Sequence, residues 1–236
     1  MRIEVSLSPA LYPYRAIKEH NVTVAIDLLR ATTAVCAAFQ AGCSSVLPLD
    51  TLEGIGRFRE HGFLVAAERG GRKVGDAEYG NSPTEYLRSD MTGVKLAYST
   101  TNGTVSILRG ADADLTLVAS FANLSAVCDR LANTGMDTVL LCSGWQNDFC
   151  IEDTLVAGAI IQKLLTLDSE LIIANDAANM ALALWQVAKS DPYDYCQRCT
   201  HVHRLYGLGA AADVSFAFRQ DTCPVVPILK DGLLTL

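Results

Sequence analysis

The sequence has no long apolar run and only a small share of positively charged residues. No stretch of about 18 apolar residues occurs, so we expect no membrane-spanning helix and no membrane partner. The first residues lack the charged-then-apolar pattern of a secretory signal, and we therefore expect a cytoplasmic protein. A net charge of −7 argues against nucleic acid as a partner. A compact enzyme or a small-molecule binding protein fits this composition.

Motifs of the phosphatases that form a covalent phosphoenzyme are also missing. Asp27 lacks the second aspartate of a DxDxT motif, and no cysteine is followed six residues later by arginine. Glu60, rather than an arginine, precedes His61 and Gly62, and no GxxxxGK[ST] loop occurs. If the protein is a phosphatase, we therefore expect it to use a metal-activated water.

Eight cysteines are present, and most lie in apolar segments. In a reducing compartment we expect them to be small core residues. Cys196, Cys199, His201 and His203 fall within eight residues, and such a group can hold zinc. Because the spacing is cramped and no second well-spaced pair accompanies it, we favour a helix with incidental cysteines over a zinc site.

Short predicted strands alternate with polar loops and helices along the 236 residues. Strands are predicted over 22–26, 45–49, 63–67, 95–99, 115–119 and 138–142, and helices over 34–41, 51–61, 105–109, 123–133, 155–167, 176–189 and 194–205. Residues 1–7 and 225–229 are predicted as edge strands, the latter because Pro227 argues against a central position. The pattern predicts a three-layer α/β/α fold with a mostly parallel or mixed sheet, built from repeated strand–loop–helix units. We expect a single domain over residues 1–236, or two intimately packed halves.

The segment from Glu68 to Tyr86 concentrates glycines, cations and carboxylates directly after a predicted buried strand. Its glycines permit positive φ and a close approach of the backbone to a ligand. Arg69 offers a planar fork that suits carboxylate, phosphate or sulfonate groups. The alternative is a solvated hairpin tip.

Polar residues also follow three other predicted strands. They are Asp27, Arg30, Thr32 and Thr33; then Thr100, Thr101, Asn102, Gly103 and Thr104; and then Ser143, Gly144, Glu152 and Asp153. If the strands are parallel, all of these residues converge on one edge of the sheet, where ligands of α/β proteins bind. Hydroxyls, amides and arginines suit a polyanion, and Asp27 with Glu68 or Asp153 suits Mg²⁺. The alternative is that these residues are helix caps.

Five ordered motifs together resemble the 2-phosphosulfolactate phosphatase family. They are Ile26 to Thr33, Glu68 to Gly71, Gly80 to Pro83, Thr100 to Thr104 and Glu152 to Thr154, and the tail over 221–232 is similar too. The resemblance implies Mg²⁺-dependent hydrolysis of 2-phospho-3-sulfolactate to 3-sulfolactate and phosphate, a step toward coenzyme M. The expected partner is thus a small anionic phospho-acid substrate.

Site roles follow for residues of these motifs. We expect Asp27, Glu68 and Asp153 to hold Mg²⁺, and Asp27, Glu68, Arg69 and Glu152 to be catalytic. Either a metal-ligand carboxylate or Glu152 serves as general base. The predicted substrate-binding residues are Arg30, Thr32, Thr33, Arg69, Asn81, Ser82, Thr100, Thr101, Asn102, Gly103 and Thr104.

Two alternatives stay open at this point. One is a phosphatase for another small 2-phospho acid, since arginine fits carboxylate about as well as sulfonate. The other is a non-catalytic anion-binding protein that keeps the same loops. The sequence also leaves open whether the chain forms a homo-oligomer.

Overall fold

The strands form one mixed sheet in the computed structural model, which describes residues 1–146 and 148–236. They are β1 Arg2–Ser6, β2 Asn21–Ile26, β3 Ser45–Leu49, β4 Phe63–Arg69, β5 Arg72–Lys73, β6 Lys95–Ser99, β7 Leu115–Ala119, β8 Asp137–Cys142, β9 Ile172–Ile173, β10 Ile228–Lys230 and β11 Leu233–Thr235. Their order across the sheet is β5-β4-β6-β3-β11-β10-β7-β2-β8-β1-β9.

Helices cover both faces of this sheet. They are α1 Ala31–Gln40, α2 Pro83–Arg88, α3 Gly103–Arg109, α4 Leu124–Thr134, α5 Ile151–Leu167, α6 Asp176–Ala188, α7 Pro192–Tyr195, α8 Thr200–Gly207 and α9 Ala211–Ala217. Every residue of β2 is buried because the strand has packing partners on both faces. Val24 belongs to the apolar cluster that includes α4, α5 and α6, whereas Ala25 belongs to the cluster that includes α1. The predicted α/β fold with a mixed, mostly parallel sheet is confirmed.

Two blocks of parallel strands meet at an antiparallel hairpin. One block is β9-β1-β8-β2-β7 and the other is β3-β6-β4. The pairs β7–β10, β10–β11 and β11–β3 are all antiparallel, so β3 runs opposite to β7 along the hydrogen-bonded order. The two blocks therefore do not share one parallel edge. The loops after β2, β4 and β6 nevertheless border one cleft, which is described below.

The prediction of an edge strand over 225–229 is wrong. β10 lies between β7 and β11 in the middle of the sheet, and its ladder with β7 begins at Ile228. Pro227 precedes that ladder and contributes only its carbonyl oxygen, which accepts from Val118 N at 3.0 Å. Since proline lacks only the donor, it is tolerated at this position. β1 is not at the edge either, because the short strand β9 pairs with its outer side.

Two predicted helices also differ from the structure. The segment 51–61 forms only a 3₁₀ helix over Ile55–His61, which lies between two left-handed glycines, Gly54 and Gly62. The segment 194–205 is interrupted: α7 gives way to a 3₁₀ turn over Cys196–Arg198, and extended backbone at Cys199 precedes α8. This break turns α8 so that residues of its first turns reach the site described below.

Threonines near the starts of three helices make similar hydrogen bonds. Thr32, Thr104 and Thr154 each donate a hydroxyl hydrogen bond to a backbone carbonyl four or five residues earlier, at 2.8, 3.2 and 2.8 Å. Asp27 N and Thr100 N in turn donate to the hydroxyls of Thr32 and Thr104. Thr32 and Thr104 therefore fasten a strand end to the helix that follows it, whereas Thr154 bonds the N-cap residue of its own helix. Within the described residues, no helix has the length and apolarity needed to cross a membrane.

Close packing of α5 on α6 gives a first prediction. A β-carbon at Gly158 would collide with the carbonyl oxygen of Ala181 and lie 2.7 Å from Cβ of Trp185. We expect Gly158→Ala to lower the free energy of unfolding by about 1–3 kcal/mol, the usual cost of overpacking. Urea unfolding followed by circular dichroism measures this change.

The matched control is Gly207→Ala at the end of α8. Nothing lies within 4 Å of the position of its β-carbon. Alanine there should leave stability unchanged or raise it by about 0.5–1 kcal/mol, since glycine is unfavourable in a helix. Equal unfolding midpoints for Gly158→Ala and the wild type would contradict the packing described here.

Candidate active site

One narrow polar cleft lies where the loops after β2, β4 and β6 approach helix α8. Its volume is about 20 Å³, which is room for an ion or a water molecule. The residues that line it are Asp27, Leu29, Arg30, Glu68, Gly71, Asn81, Asn102, Trp145, His201, Arg204 and Leu205. The loops after β2, β4 and β6 therefore converge, and the sequence-predicted residues Asp27, Arg30, Glu68, Asn81 and Asn102 border the same space.

Asp27 directly follows β2 and is buried in the cleft wall. Its Oδ1 accepts from Ala31 N at 3.2 Å, at the start of α1. Its Oδ2 faces Gly103, where a β-carbon would lie 2.6 Å away. Burial raises the pKa of Asp27 well above its ordinary value, and the carboxylates of Asp153 and Glu68 raise it further. A cation bound at Asp27 would favour the ionised carboxylate and so lower its pKa.

Glu68 is the second-last residue of β4 and ties two loops together. Its Oε1 accepts from Thr101 N at 2.6 Å, and its Oε2 accepts from Gly71 N at 2.6 Å. The turn between Glu68 and Gly71 needs glycine, because Gly70 and Gly71 both have positive φ. The carboxylate of Glu68 is thus held rigidly at the cleft by backbone amides.

Asp153, the third predicted metal ligand, lies behind the cleft wall rather than in its lining. Its Oδ1 accepts from Leu28 N at 2.8 Å and its Oδ2 from Gly144 N at 2.9 Å. It thereby joins the loop after β2 to the loop after β8. Among the described residues, Asp27, Glu68 and Asp153 do not gather as a trio within 4.8 Å, although Asp153 lies near enough to raise the pKa of Asp27.

Arg30 lines the cleft but is already paired. Its Nη1 donates to Asp213 Oδ2 at 2.8 Å and its Nη2 to the carbonyl oxygen of Gly71 at 2.6 Å. The Oδ1 of Asp213 accepts from the hydroxyls of Ser82 and Thr84 at 2.7 and 2.6 Å. Sequence reasoning missed Asp213, a buried aspartate in α9 whose only sequence signal is its apolar surroundings.

Ser82 caps α2, as its position before Pro83 predicts, because its hydroxyl accepts from Glu85 N at 3.2 Å. Asn81 lines the cleft and accepts from the hydroxyl of Tyr98. Arg69 does not line the cleft: it donates to its neighbour's carbonyl oxygen, at Glu68, and to Ser99 Oγ, at 2.6 and 3.0 Å. Substrate contacts of Ser82 and Arg69 stay predictions.

The predicted threonines divide into two groups. Thr32, Thr33, Thr100 and Thr104 are buried, and their hydroxyls bond the backbone of their own loops. Thr101 is half-buried, and its hydroxyl accepts from Gly70 N at 3.3 Å. Gly103 is buried against Asp27, where a larger residue would not fit. The structure thus uses these residues to shape the loops, and their contact with substrate stays a prediction.

The cleft is also lined by Trp145, His201 and Arg204, none of which the sequence placed in this site. The guanidinium carbon of Arg204 lies 3.9 Å from the centroid of the Trp145 ring, and the His201 ring meets the same indole edge-on at 5.2 Å. Arg204 Nη2 is buried and has no hydrogen-bond partner among the described residues. Arg204 stands three residues after His201 on α8, so helical spacing was the available signal.

Glu152 lies in the first turn of α5, beside His201. The distance from Glu152 Oε1 to His201 Nδ1 is 3.9 Å. Burial raises the pKa of Glu152, while burial and the charges of Arg204 and Arg30 lower the pKa of His201 to about 4. With Cys150 these two residues bring donor atoms within 4.8 Å of one another, a set that can hold a metal or move a proton.

The other members of the CxxC segment point elsewhere. Cys196 and Cys199 are buried in the apolar cluster around α5 and α6, and His203 is exposed. All eight cysteines are free and buried, which confirms the prediction of core residues. Among the described residues, Cys196, Cys199, His201 and His203 are not gathered as one group of ligands.

The buried pair of Arg30 and Asp213 gives the second prediction. Asp213→Asn removes the charge that balances a buried guanidinium, and breaking such a pair costs about 3–5 kcal/mol. We therefore expect a large fall in the urea unfolding midpoint. Asp76→Asn is the control, because Asp76 is an exposed partner of Arg59 and its loss should change the midpoint little. Similar midpoints for the two variants would show that Arg30 does not depend on Asp213.

Comparison with known proteins adds independent evidence. A protein named probable 2-phosphosulfolactate phosphatase from Caldanaerobacter subterraneus subsp. tengcongensis is 33% identical over 225 residues, covering 93% of this chain and 92% of the relative. Proteins of the same name are 34% identical in Gloeothece citriformis, over 98% of this chain and 97% of the relative, and 33% identical in Thermotoga maritima, over 92% and 93%. The model of the 2-phosphosulpholactate phosphatase family matches residues 7–232. The chain therefore belongs to the 2-phosphosulpholactate phosphatase family.

Proposed function

We propose that this protein is a Mg²⁺-dependent phosphatase that hydrolyses 2-phospho-3-sulfolactate to 3-sulfolactate and inorganic phosphate. Membership of the family supports a phosphoric monoester hydrolase that acts on a small anionic phospho acid. The observation that carries the proposal is the lining of the cleft, where two carboxylates and two arginines border one small space. Coenzyme M biosynthesis and a cytoplasmic location stay predictions from the sequence.

The donor set of the cleft fits Mg²⁺. Asp27 and Glu68 offer carboxylate oxygens, which hard cations prefer. Asp27 has the raised pKa of a buried carboxylate near two others, so a divalent cation would relieve charge repulsion there. Asp27 and Glu68 would hold the ion, and Asp153 would support it from behind by fixing the loop after β2. When bound, Mg²⁺ supplies polarisation of the phosphoryl group and activation of water.

Residues around this position bind and orient the substrate in the proposed mechanism. Asn81 and Asn102 line the cleft and offer amide groups to phosphate oxygens. Glu68 holds the amides of Gly71 and Thr101 in place, so the shape of the cleft is set before a ligand enters. Arg30 adds positive charge to the wall while it remains paired with Asp213.

We assign proton transfer to the pair of Glu152 and His201. His201 lines the cleft, and its lowered pKa keeps the imidazole neutral near neutral pH, with a lone pair that accepts a proton. Glu152 lies 3.9 Å behind it and stabilises the imidazolium that then forms. Glu152 thus keeps the catalytic role predicted from the sequence, acting through His201.

The third prediction tests the activity. Phosphate release from 2-phospho-3-sulfolactate should require added Mg²⁺ and should stop when a chelator is present. Asp27→Asn should lower kcat/KM by about 100-fold or more, since stabilisation of transition-state charge by a metal contributes several kcal/mol. The melting temperature in chelator should stay unchanged or rise, because the amide removes a buried charge.

Asp76→Asn is again the matched control, since Asp76 is an exposed carboxylate of the glycine-rich segment. It should keep wild-type kinetics. Full activity after exhaustive chelation, or wild-type turnover by Asp27→Asn at saturating Mg²⁺, would refute the proposed metal site.

A further inference from the structure

The two arginines of the cleft differ in how the protein uses them. Arg30 is paired with Asp213 and donates to Gly71 as well. Arg204 Nη2, by contrast, is buried without a hydrogen-bond partner among the described residues. Burial also lowers the pKa of Arg204, although the residue as a whole is only half-buried. A desolvated cationic donor without an acceptor costs free energy, so this geometry favours an anion at Arg204.

Trp145 fixes the orientation of this guanidinium. The Arg204 guanidinium carbon lies 3.9 Å from the ring centroid, which is a cation–π contact. Such a contact does not use the N–H groups of the guanidinium as hydrogen-bond donors to an oxygen, so they are available to a ligand. A β-carbon on Gly71 would lie 2.7 Å from Leu208 Cδ1 and 3.4 Å from Arg204 Nη1, so glycine lets the loop after β4 lie close to α8.

A second cavity lies on the other side of Arg204. Its volume is about 210 Å³, against about 20 Å³ for the cleft, and Trp145, His201 and Arg204 line both spaces. The other residues that line it are Asp148, Phe149, Cys150 and Thr200. The narrow cleft suits an ion and its immediate ligands, whereas the organic part of a phospho acid needs the larger cavity.

We propose that Arg204, oriented by Trp145, binds one of the two acidic groups that the substrate carries besides the phosphate, its sulfonate or its carboxylate, in this second cavity. The inference rests on the proposed function. In it, the phosphate group binds at the end of the cleft that contains Asp27 and Glu68. Both kinds of acid present oxygens that accept paired hydrogen bonds from a guanidinium. Arg204 is then a residue that selects the substrate rather than one that holds the phosphate.

Direct binding tests this assignment without relying on turnover. Calorimetric titration in Mg²⁺ would use 3-sulfolactate, lactate and inorganic phosphate with the wild type, Arg204→Lys and Arg204→Gln. We expect Arg204→Lys to lower the affinity for 3-sulfolactate roughly 10- to 100-fold, because lysine keeps the charge but loses the paired hydrogen bonds. Arg204→Gln should weaken it further, and phosphate affinity should change less than about threefold in both. All three ligands are titrated into the same preparation of each variant. Partial unfolding would lower the binding of every ligand alike, so it cannot be mistaken for a change in selectivity.

The three ligands separate the two kinds of acid. If the Arg204 variants lose affinity for lactate and 3-sulfolactate in parallel, Arg204 binds the carboxylate. If they lose affinity for 3-sulfolactate alone, Arg204 binds the sulfonate. Arg198→Lys is the matched control, since Arg198 stacks on Tyr195 at 4.4 Å and lines neither space. It should leave all three affinities unchanged.

Two results would overturn the proposal. In one, Arg204→Lys lowers the affinity for inorganic phosphate as much as the affinity for 3-sulfolactate, which would make Arg204 a phosphate ligand. In the other, the wild type binds neither organic acid. Failure of the proposed function is distinguishable, because it appears as absent Mg²⁺-dependent phosphate release while selective binding of the acid at Arg204 persists.

Discussion

Buried carboxylates that must find hydrogen-bond donors organise this protein around its cleft. A carboxylate removed from water is costly unless donors or cations surround it. Glu68 meets this need with the amides of Gly71 and Thr101, Asp153 with the amides of Leu28 and Gly144, and Asp213 with Arg30 and two hydroxyls. Each of these carboxylates joins segments that are distant in sequence, so the loops of the site are held by the same groups that give it its charge.

Residues after 200 complete both the sheet and the site. The hairpin of β10 and β11 joins the two parallel blocks, which run in opposite senses and have no other pairing between them among the described strands. The same part of the chain supplies His201 and Arg204 to the cleft and Asp213 to its wall. Because α8 and α9 pack on the cluster around α5, folding of the cleft depends on contacts of long sequence separation.

Local patterns predicted much of the fold, and one part of the site. β3, β6 and β7 have the bounds that their apolar runs predict, and Asp27 and Glu68 lie at the cleft as their positions after strands predict. The central position of β10 was not predictable from Pro227. Proline shows which residue cannot donate a backbone hydrogen bond, but it does not show that the ladder with β7 begins one residue later. Asp213 and Arg204 were missed for a related reason. Their roles come from partners up to 183 residues away, and a periodic helix pattern contains no trace of such partners.

The charged side chains of the cleft that lack a partner of opposite charge in the described part of the chain indicate which kind of ligand the cleft would bind. Asp153 and Glu68 raise the pKa of Asp27, so the proposed cation would stabilise its ionised form, whereas Arg204 in the same cleft has a buried nitrogen without an acceptor among the described residues. Within the described segments, no ion pair joins Arg204 to Asp27; Arg204 instead contacts the Trp145 ring, and Gly103 packs against Asp27. The divalent cation and polyanionic substrate of the proposed function would neutralise both ends of such a site at once. A free monoanion would satisfy Arg204 alone and leave the carboxylates uncompensated.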